Sequence, residues 1–339
     1  LDFGDAPVFD AIAYASILIG EKDGLASTST ASAAAYTWKR SDRLPQIADI
    51  MQEQSFPLAQ SNLTADGWRL EKPEVFALLK KLKEKGTPLG EYVEGRFYYG
   101  IKTGFNEAFV VDDIETRDRL IAEDPKSAEI LKPFLRGRDV KRWKANFDER
   151  YLIKIESSEN KKHPWSGLPA KEAEEVFKNT YPAIHNRFND TEIRKALIKR
   201  SDQGKYFWEL RSCVYWEGFE QTKIIYPELS EEARFLTTSE IFYTDCTTYI
   251  IPHSDDSFVS ILNSSVSRYF VGLHAATNMG GAIRWKNQYL SPLPIPSVSI
   301  SEKTRLSELA EAAASAQGDD LEVIEAEINQ IVYRLFDLS

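Results

Sequence analysis

The chain has 339 residues, 42% apolar and 28% charged, with a formal charge of −10. That length and balance describe a globular chain of about two domains and exclude disordered and collagen-like classes. The most apolar run, Ala11 to Ile19, is about half of the roughly 20 residues that a membrane span requires. Two cysteines, Cys213 and Cys246, make no disulfide framework and lack zinc-site spacing, so a cytoplasmic location away from any membrane is expected.

The chain opens without an initiator methionine, and Leu1 to Gly24 reads as buried strand material (Val8-Phe9, then Ile12 to Ile19), as expected of a piece of something longer. Ala26 to Ala35, almost pure Ala, Ser and Thr, reads as a connector that builds no core. Pro73 opens a helix whose stripe is Val75, Phe76, Leu78, Leu79 and Leu82 and whose stop is Gly86. Short strands are predicted at Arg96 to Tyr99, Ala108 to Val111, Tyr151 to Ile155, Ile224-Ile225, Glu240 to Tyr243 and Thr247 to Ile251. Helices are predicted near Ile114 to Glu123, Lys126 to Phe134, Ala170 to Lys178, Ala183 to Arg200 and Phe258 to Leu273. This mixture predicts an irregular α+β domain and not a doubly wound sheet. Ser291 to Ser297, with three prolines, reads as a stiff spacer. Ser299 and Glu302 form a capping box, and two apolar stripes joined at Gln317-Gly318 predict a C-terminal helical pair.

The charge is unevenly distributed. From Lys132 to Phe147 six bases face the single acid Asp139, whereas from Ser301 to Ser339 three bases face nine acids. Such a chain can offer an anion one face and stay soluble by another, although solvated helix faces give the same pattern.

Catalytic motifs are sparse. The 17 glycines include no G-x-G for a nucleotide cofactor, and no P-loop or G-x-S-x-G elbow is present. The four histidines have no second ligand at short spacing, and Glu159-Asn160-Lys161 with Asp148 upstream is a tripeptide expected by chance.

Four segments carry positive signals. Tyr98 to Phe109 sets two glycines about Lys102-Thr103, either bringing a base and a hydroxyl close to a partner or serving an ordinary hairpin. Leu131 to Trp143 reads as a helix ending at Gly137 amid bases and an exposed Trp, suited to phosphates, with an Asp139–Arg142 pair as the competing reading. Tyr206 to Trp216 interleaves aromatics with Arg211, and such rings more often fill a core than stack on bases. Asn278 to Lys286 is a glycine-containing loop leading to Arg284 and Lys286, able to enter a groove or to lie plainly on the surface.

These segments resemble the TaqI-like C-terminal specificity (target recognition) domain of adenine-specific type IIG restriction-modification enzymes. The resemblance rests on G-I-K-T-G-F-N-E-A-F at Gly100 to Phe109 and D-P-K-S-A-E-I-L-K-P-F-L-R-G-R-D-V-K-R-W at Asp124 to Trp143. K-I-I-Y-P-E at Lys223 to Glu228, I-L-N-S at Ile261 to Ser264 and L-P-I-P at Leu293 to Pro296 follow in the right order, and Ile324 to Phe336 resembles the family's closing helix. It implies that residues 1–45 are a methyltransferase remnant with linker, 46–297 a DNA target-recognition domain, and 298–339 the helical tail. The family's Asn-Pro-Pro-Tyr motif and S-adenosylmethionine loop are missing from the sequence. Double-stranded DNA is then the expected partner, together with methyltransferase and nuclease domains of one parent polypeptide. S-adenosylmethionine and Mg belong to the parent, and this chain holds no cofactor or metal and no catalytic residue. Lys102, Thr103, Arg136, Arg138, Lys141 and Arg142 are expected as backbone or structural contacts, and Arg211, Arg284 and Lys286 as base readers. The alternatives are a phage-exclusion adenine methyltransferase and a protein-interaction module docking through the acidic tail.

Overall fold

The structure is a computed structural model that describes residues 1–3, 15–20, 32–39, 42–63, 68–253, 255–275 and 281–338. The chain divides into two compact units, Leu1–Lys85 and Gly86–Ser339.

In the first unit Ser32–Ala35 pairs antiparallel with Phe56–Ala59, Ala35 opposite Phe56. The expected connector is therefore a strand over these four residues, held by backbone pairing with its partner and buried only at Ala35; residues 26–31 lie outside the described residues. Ile17, Leu18 and Ile19 are exposed, against the expectation of buried strand, while Val8-Phe9 and Ile12 lie outside the described residues. The helix Pro73–Lys85 forms as its stripe requires, burying Leu79 and Leu82 and ending on Lys83 and Lys85, which suit the negative end of the helix dipole.

Two small sheets organise the second unit. The first is antiparallel, in the order Leu236–Thr238, Lys223–Pro227, Thr248–Pro252, Tyr98–Tyr99. The second runs Tyr243–Thr244, Leu131–Leu135, Tyr151–Ile153, Val110–Val111, with its first pair parallel. The chain passes from the second sheet to the first through one turn, Asp245 to Thr247. A shared core that includes Phe109, Phe134, Leu152, Trp165, Phe177, Trp208, Phe219 and Tyr243 supports both sheets.

The sequence Lys126 to Phe134 is not a helix: a short turn, Pro125–Glu129, precedes the strand. Pro133 explains the difference, since it lacks the N–H that a helix interior needs. In the strand, the parallel partner begins only at Phe134, so the proline stands where no second ladder requires a donor. Ala108-Phe109 closes a helical turn, Asn106–Phe109, and only Val110–Val111 is strand. The two long predicted helices are each broken where a polar residue caps the next segment. Asp190 caps Thr191–Lys199 after Pro182–Phe188, and Ser264 caps Ser265–His274 after Asp256–Leu262.

The proline run is packed rather than a free spacer: Pro294–Pro296 pairs with Gly86–Pro88, and Leu293 and Ile295 are buried. Beyond it the capping box of Ser299 and Glu302 opens Ile300–Ser315, and Gly318–Leu335 returns alongside. The pair buries Leu306, Leu309, Ala313, Ile328, Ile331 and Val332. It is also tied to its own chain, since Ser260 donates to the Leu306 carbonyl at 2.9 Å and the Ser265 amide donates to Asn329 at 2.7 Å. No helix among the described residues is long and apolar enough to cross a membrane.

Candidate nucleic-acid interface

The turn Asp245-Cys246-Thr247 holds itself in shape. Asp245 Oδ1 accepts from the Thr247 amide at 3.0 Å and from its hydroxyl at 2.5 Å, and the Thr248 amide donates to the Asp245 carbonyl at 3.1 Å. Such an Asp-to-i+2 bond is the local device by which a short side chain replaces a longer loop. Burial raises the Asp245 pKa, opposed by the two Thr247 donors.

Two of the four sequence segments meet this turn directly, and a third reaches it through Glu228. Gly100 donates to the Thr248 carbonyl at 2.9 Å and Ile101 to the Thr244 carbonyl at 2.6 Å; a β-carbon on Gly100 would overlap the Asp245 carbonyl oxygen, so only glycine allows this approach. Asp245 donates to the Leu135 carbonyl at 2.9 Å, and the Gly137 amide donates to the Thr247 hydroxyl at 3.0 Å. On the remaining side Glu228 donates to the Thr247 carbonyl at 2.8 Å, and its carboxylate meets Arg284 at 2.9 Å and Lys286 at 3.4 Å.

The fourth segment arrives through Asp202. Its carboxylate pairs with Lys102 at 3.0 Å and Arg211 at 3.3 Å, both more than half exposed. Behind them the buried Arg200 donates to the carbonyls of Thr103, Phe207 and Glu209, fixing the 102–104 turn against the aromatic cluster. Burial pulls the Arg200 pKa down to about 10, and Asp202 opposes the shift. Lys102, Arg211, Cys246, Cys213, Tyr99 and Tyr215 line one pocket of about 470 Å³.

Arg136 is held by Asp139 at 3.4 Å and Asp148 at 3.2 Å, while Arg138, 68% exposed, is 3.8 Å from Asp139. Lys102, Arg136, Arg138 and Arg211 therefore stand on segments that meet the turn or share its pocket, and Arg284 and Lys286 are linked to it through Glu228. Arg284 is on the strand Ile283–Arg284, paired with Leu229–Ser230, and not on a loop; residues 278–280 of the expected loop lie outside the described residues.

The remaining nominated residues have other places. Thr103 is buried, its hydroxyl donating to Asn106 at 2.5 Å. Lys141 is half-buried. Arg142 is enclosed by the tail: its Nε is 2.8 Å from Glu325, a terminal nitrogen donates to the Asn263 carbonyl at 2.7 Å, and Glu232 lies 4.0 Å away. Burial lowers its pKa while Glu325 and Glu232 raise it. The Asp139–Arg142 pair does not form, since Asp139 is taken by Arg136 and Arg150. Trp143, expected on the surface, is 4% exposed, has φ +73°, and donates from Nε1 to Glu325 at 2.7 Å. The region after Leu135 is a short turn, Gly137–Asp139, and not a helix end.

Tyr206, Trp208 and Trp216 fill the core, leaving Arg211 outside it. The histidines bond locally: His163 to the Glu156 carbonyl, His185 to Glu174, His253 to the Asp255 amide, His274 to the Phe270 carbonyl. Among the described residues no group of three or more His, Cys, Asp or Glu side chains is placed to hold a metal ion. Sequence reading missed Asp202, Glu228 and the turn itself, whose one signal was the Asp-x-Thr spacing between two strands.

Comparison with known proteins decides what this architecture is. Residues 132–295 match the family described as the TaqI-like C-terminal specificity domain. This segment is similar to a TaqI-like specificity domain. It contains the 136–139 turn, Arg211, Glu228, the 245–247 turn and Arg284, while Lys102 approaches it from the preceding segment. Along its whole length the chain is 24% identical to the type II methyltransferase M.PaeR7I of Pseudomonas aeruginosa, covering 56% of that protein. Over 78% of its length it is 22% identical to the type II methyltransferase M.BstVI of Geobacillus stearothermophilus, covering 44%. The chain thus spans about half the length of the curated relatives it matches. In fold it is similar to the type IIL restriction-modification enzyme MmeI, solved in complex with DNA, with a TM-score of 0.54, 12% identity, and coverage of 95% of this chain and 42% of that one.

Proposed function

We propose that this chain recognises double-stranded DNA as the specificity portion of a type II methyltransferase or restriction-modification enzyme, directing adenine methylation and cleavage by domains outside this sequence. The observation that carries the reading is the gathering of six bases, drawn from four separate segments, about the 245–247 turn of a specificity domain. Arg and Lys on exposed turns fix register through phosphates, while side chains in a groove read base edges. S-adenosylmethionine and Mg are assigned to the parent protein. The residues here fit neither group, since the sequence holds no G-x-G and the described residues hold no metal-ligating cluster, and no step is routed through them. A role in cytoplasmic phage defence goes with this proposal.

The test is duplex binding across a salt series. With about four to six phosphate contacts, the logarithm of the affinity falls with the logarithm of salt at a slope of about −4 to −5. A slope near zero, or no binding at low salt, overturns the reading.

A further inference from the structure

The Asp245–Thr247 turn has a feature that its neighbours lack. Every bond fixing its shape is made by the backbone or by the side chains of Asp245 and Thr247, and the Cys246 side chain carries none of them. Cys246 is nonetheless exposed, and it is among the residues lining the pocket that Lys102 and Arg211 edge. On the other side of the turn, Glu228 holds Arg284 and Lys286, and Gly137 brings the Arg136 and Arg138 turn to Thr247. A short, uncharged side chain at the tip of a rigid turn thus has Lys102 and the carboxylates of Asp245 and Glu228 near it, with further cations on the segments beyond. Cations at the margin of such a tip can seat a nucleic-acid backbone through its phosphates, while groups nearer the centre are left to approach the base edges.

Resting on the DNA reading above, we infer that the 245–247 turn is the base-reading tip of this chain. Cys246 and the adjoining pocket face the groove, and Lys102, Arg211, Arg138, Arg284 and Lys286 rest on the flanking phosphates. The sequence assigned readout to Arg211, Arg284 and Lys286; this inference places those three at the margin, each being tied to a carboxylate shared with a second base. Residue 246 is then the position where the reading can change without disturbing the frame. Its substitution removes no bond that holds the turn.

The test is protection of the thiol. The full chain is alkylated with a neutral maleimide, and modification of Cys246 and Cys213 is followed separately by peptide mass spectrometry. Random duplex DNA is present or absent, at about ten times the dissociation constant measured by the salt series. Occlusion by mass action then slows Cys246 modification about tenfold. In a Cys213→Ser background, which leaves one thiol, an anionic methanethiosulfonate adduct at Cys246 weakens DNA binding by about fivefold and a cationic adduct strengthens it. That is the size of effect of one unit charge about 4 Å from another in water. DNA that binds with the expected salt slope but leaves Cys246 unprotected, or adducts of either sign that weaken binding equally, overturns the tip assignment and leaves the DNA reading standing. Absence of any salt-dependent binding overturns both.

Discussion

Arg138 and Arg142 lie within one basic run, yet one is 68% exposed beside the 245–247 turn and the other is 21% exposed beneath the C-terminal helix. Around the turn, bases share carboxylates, and Lys102, Arg138 and Arg211 keep their heads in solvent. Around Arg142 and Trp143, Glu325 takes both the guanidinium and the indole N–H, and a non-glycine residue is held at positive φ. A backbone in that region costs on the order of 1–3 kcal/mol and persists only where its surroundings over-determine it. The first region is the face proposed to meet DNA, and the second holds the tail on the domain.

The largest effect separating the regions is expected from Gly100→Ala. The β-carbon meets backbone and cannot be accommodated by a rotamer change, so we expect a loss of about 3 kcal/mol in urea unfolding, with DNA binding lost in parallel. An unchanged midpoint would mean that the 100–104 segment does not brace the turn.

Next, Glu325→Ala strips both Arg142 and Trp143 of a charged partner and should cost about 2 kcal/mol. Arg142→Ala should cost a similar amount, and the double variant less than the sum, because the residues form one unit. Independent costs would show that the clamp is not a unit. At conditions where both singles remain folded, their salt slopes for DNA should equal the parent's; a flattened slope for Arg142→Ala would return that residue to the DNA face.

A smaller effect is expected from Lys223, buried with its ammonium donating to the carbonyls of Glu240 at 2.8 Å and Gln221 at 3.3 Å. Burial lowers its pKa from the usual lysine value to about 8, with Glu240 opposing. Above that value the unfolded chain binds the proton more tightly than the folded one, so this residue's contribution to stability rises with pH from about 8 toward the unfolded lysine pKa. Subtracting a Lys223→Met stability profile from the parent's isolates the contribution. A flat difference would show that the ammonium is not penalised by burial.

The smallest effect on stability belongs to Arg138→Ala, within about 0.5 kcal/mol of the parent, while the DNA salt slope shrinks by about 1. A stability loss matching that of Arg142→Ala would erase the contrast between the two regions.

The sequence carried much of the fold where the signal was local. The helix Ile114–Glu123, the strands about Ile224 and Ile250, and the capping box at Ser299 follow from spacing and caps. Helix interruptions at Asp190 and Ser264 were missed, because apolar periodicity continues across a cap. For the interface the basic segments were legible one by one, but not their meeting. Lys102 and Arg211 are joined only through Asp202, and the fate of Arg142 is set by Glu325, on the last helix. No local window contains both members of such a pair.

Asp202 and Glu228 each hold two cations at once, and this sharing governs how easily the face can exchange partners. When a cation bound alone to a carboxylate swings away to a new anion, it abandons a charge, and the swap is opposed. Here either lysine or arginine can depart while its neighbour stays behind, so the carboxylate is never left unaccompanied. Each pair behaves as an ion-exchange site with one mobile and one resident counter-charge. On the proposed DNA reading, the surface would then be nearly neutral at rest, resist casual adhesion to other polyanions, and still release positive charge one residue at a time to a strand that fits.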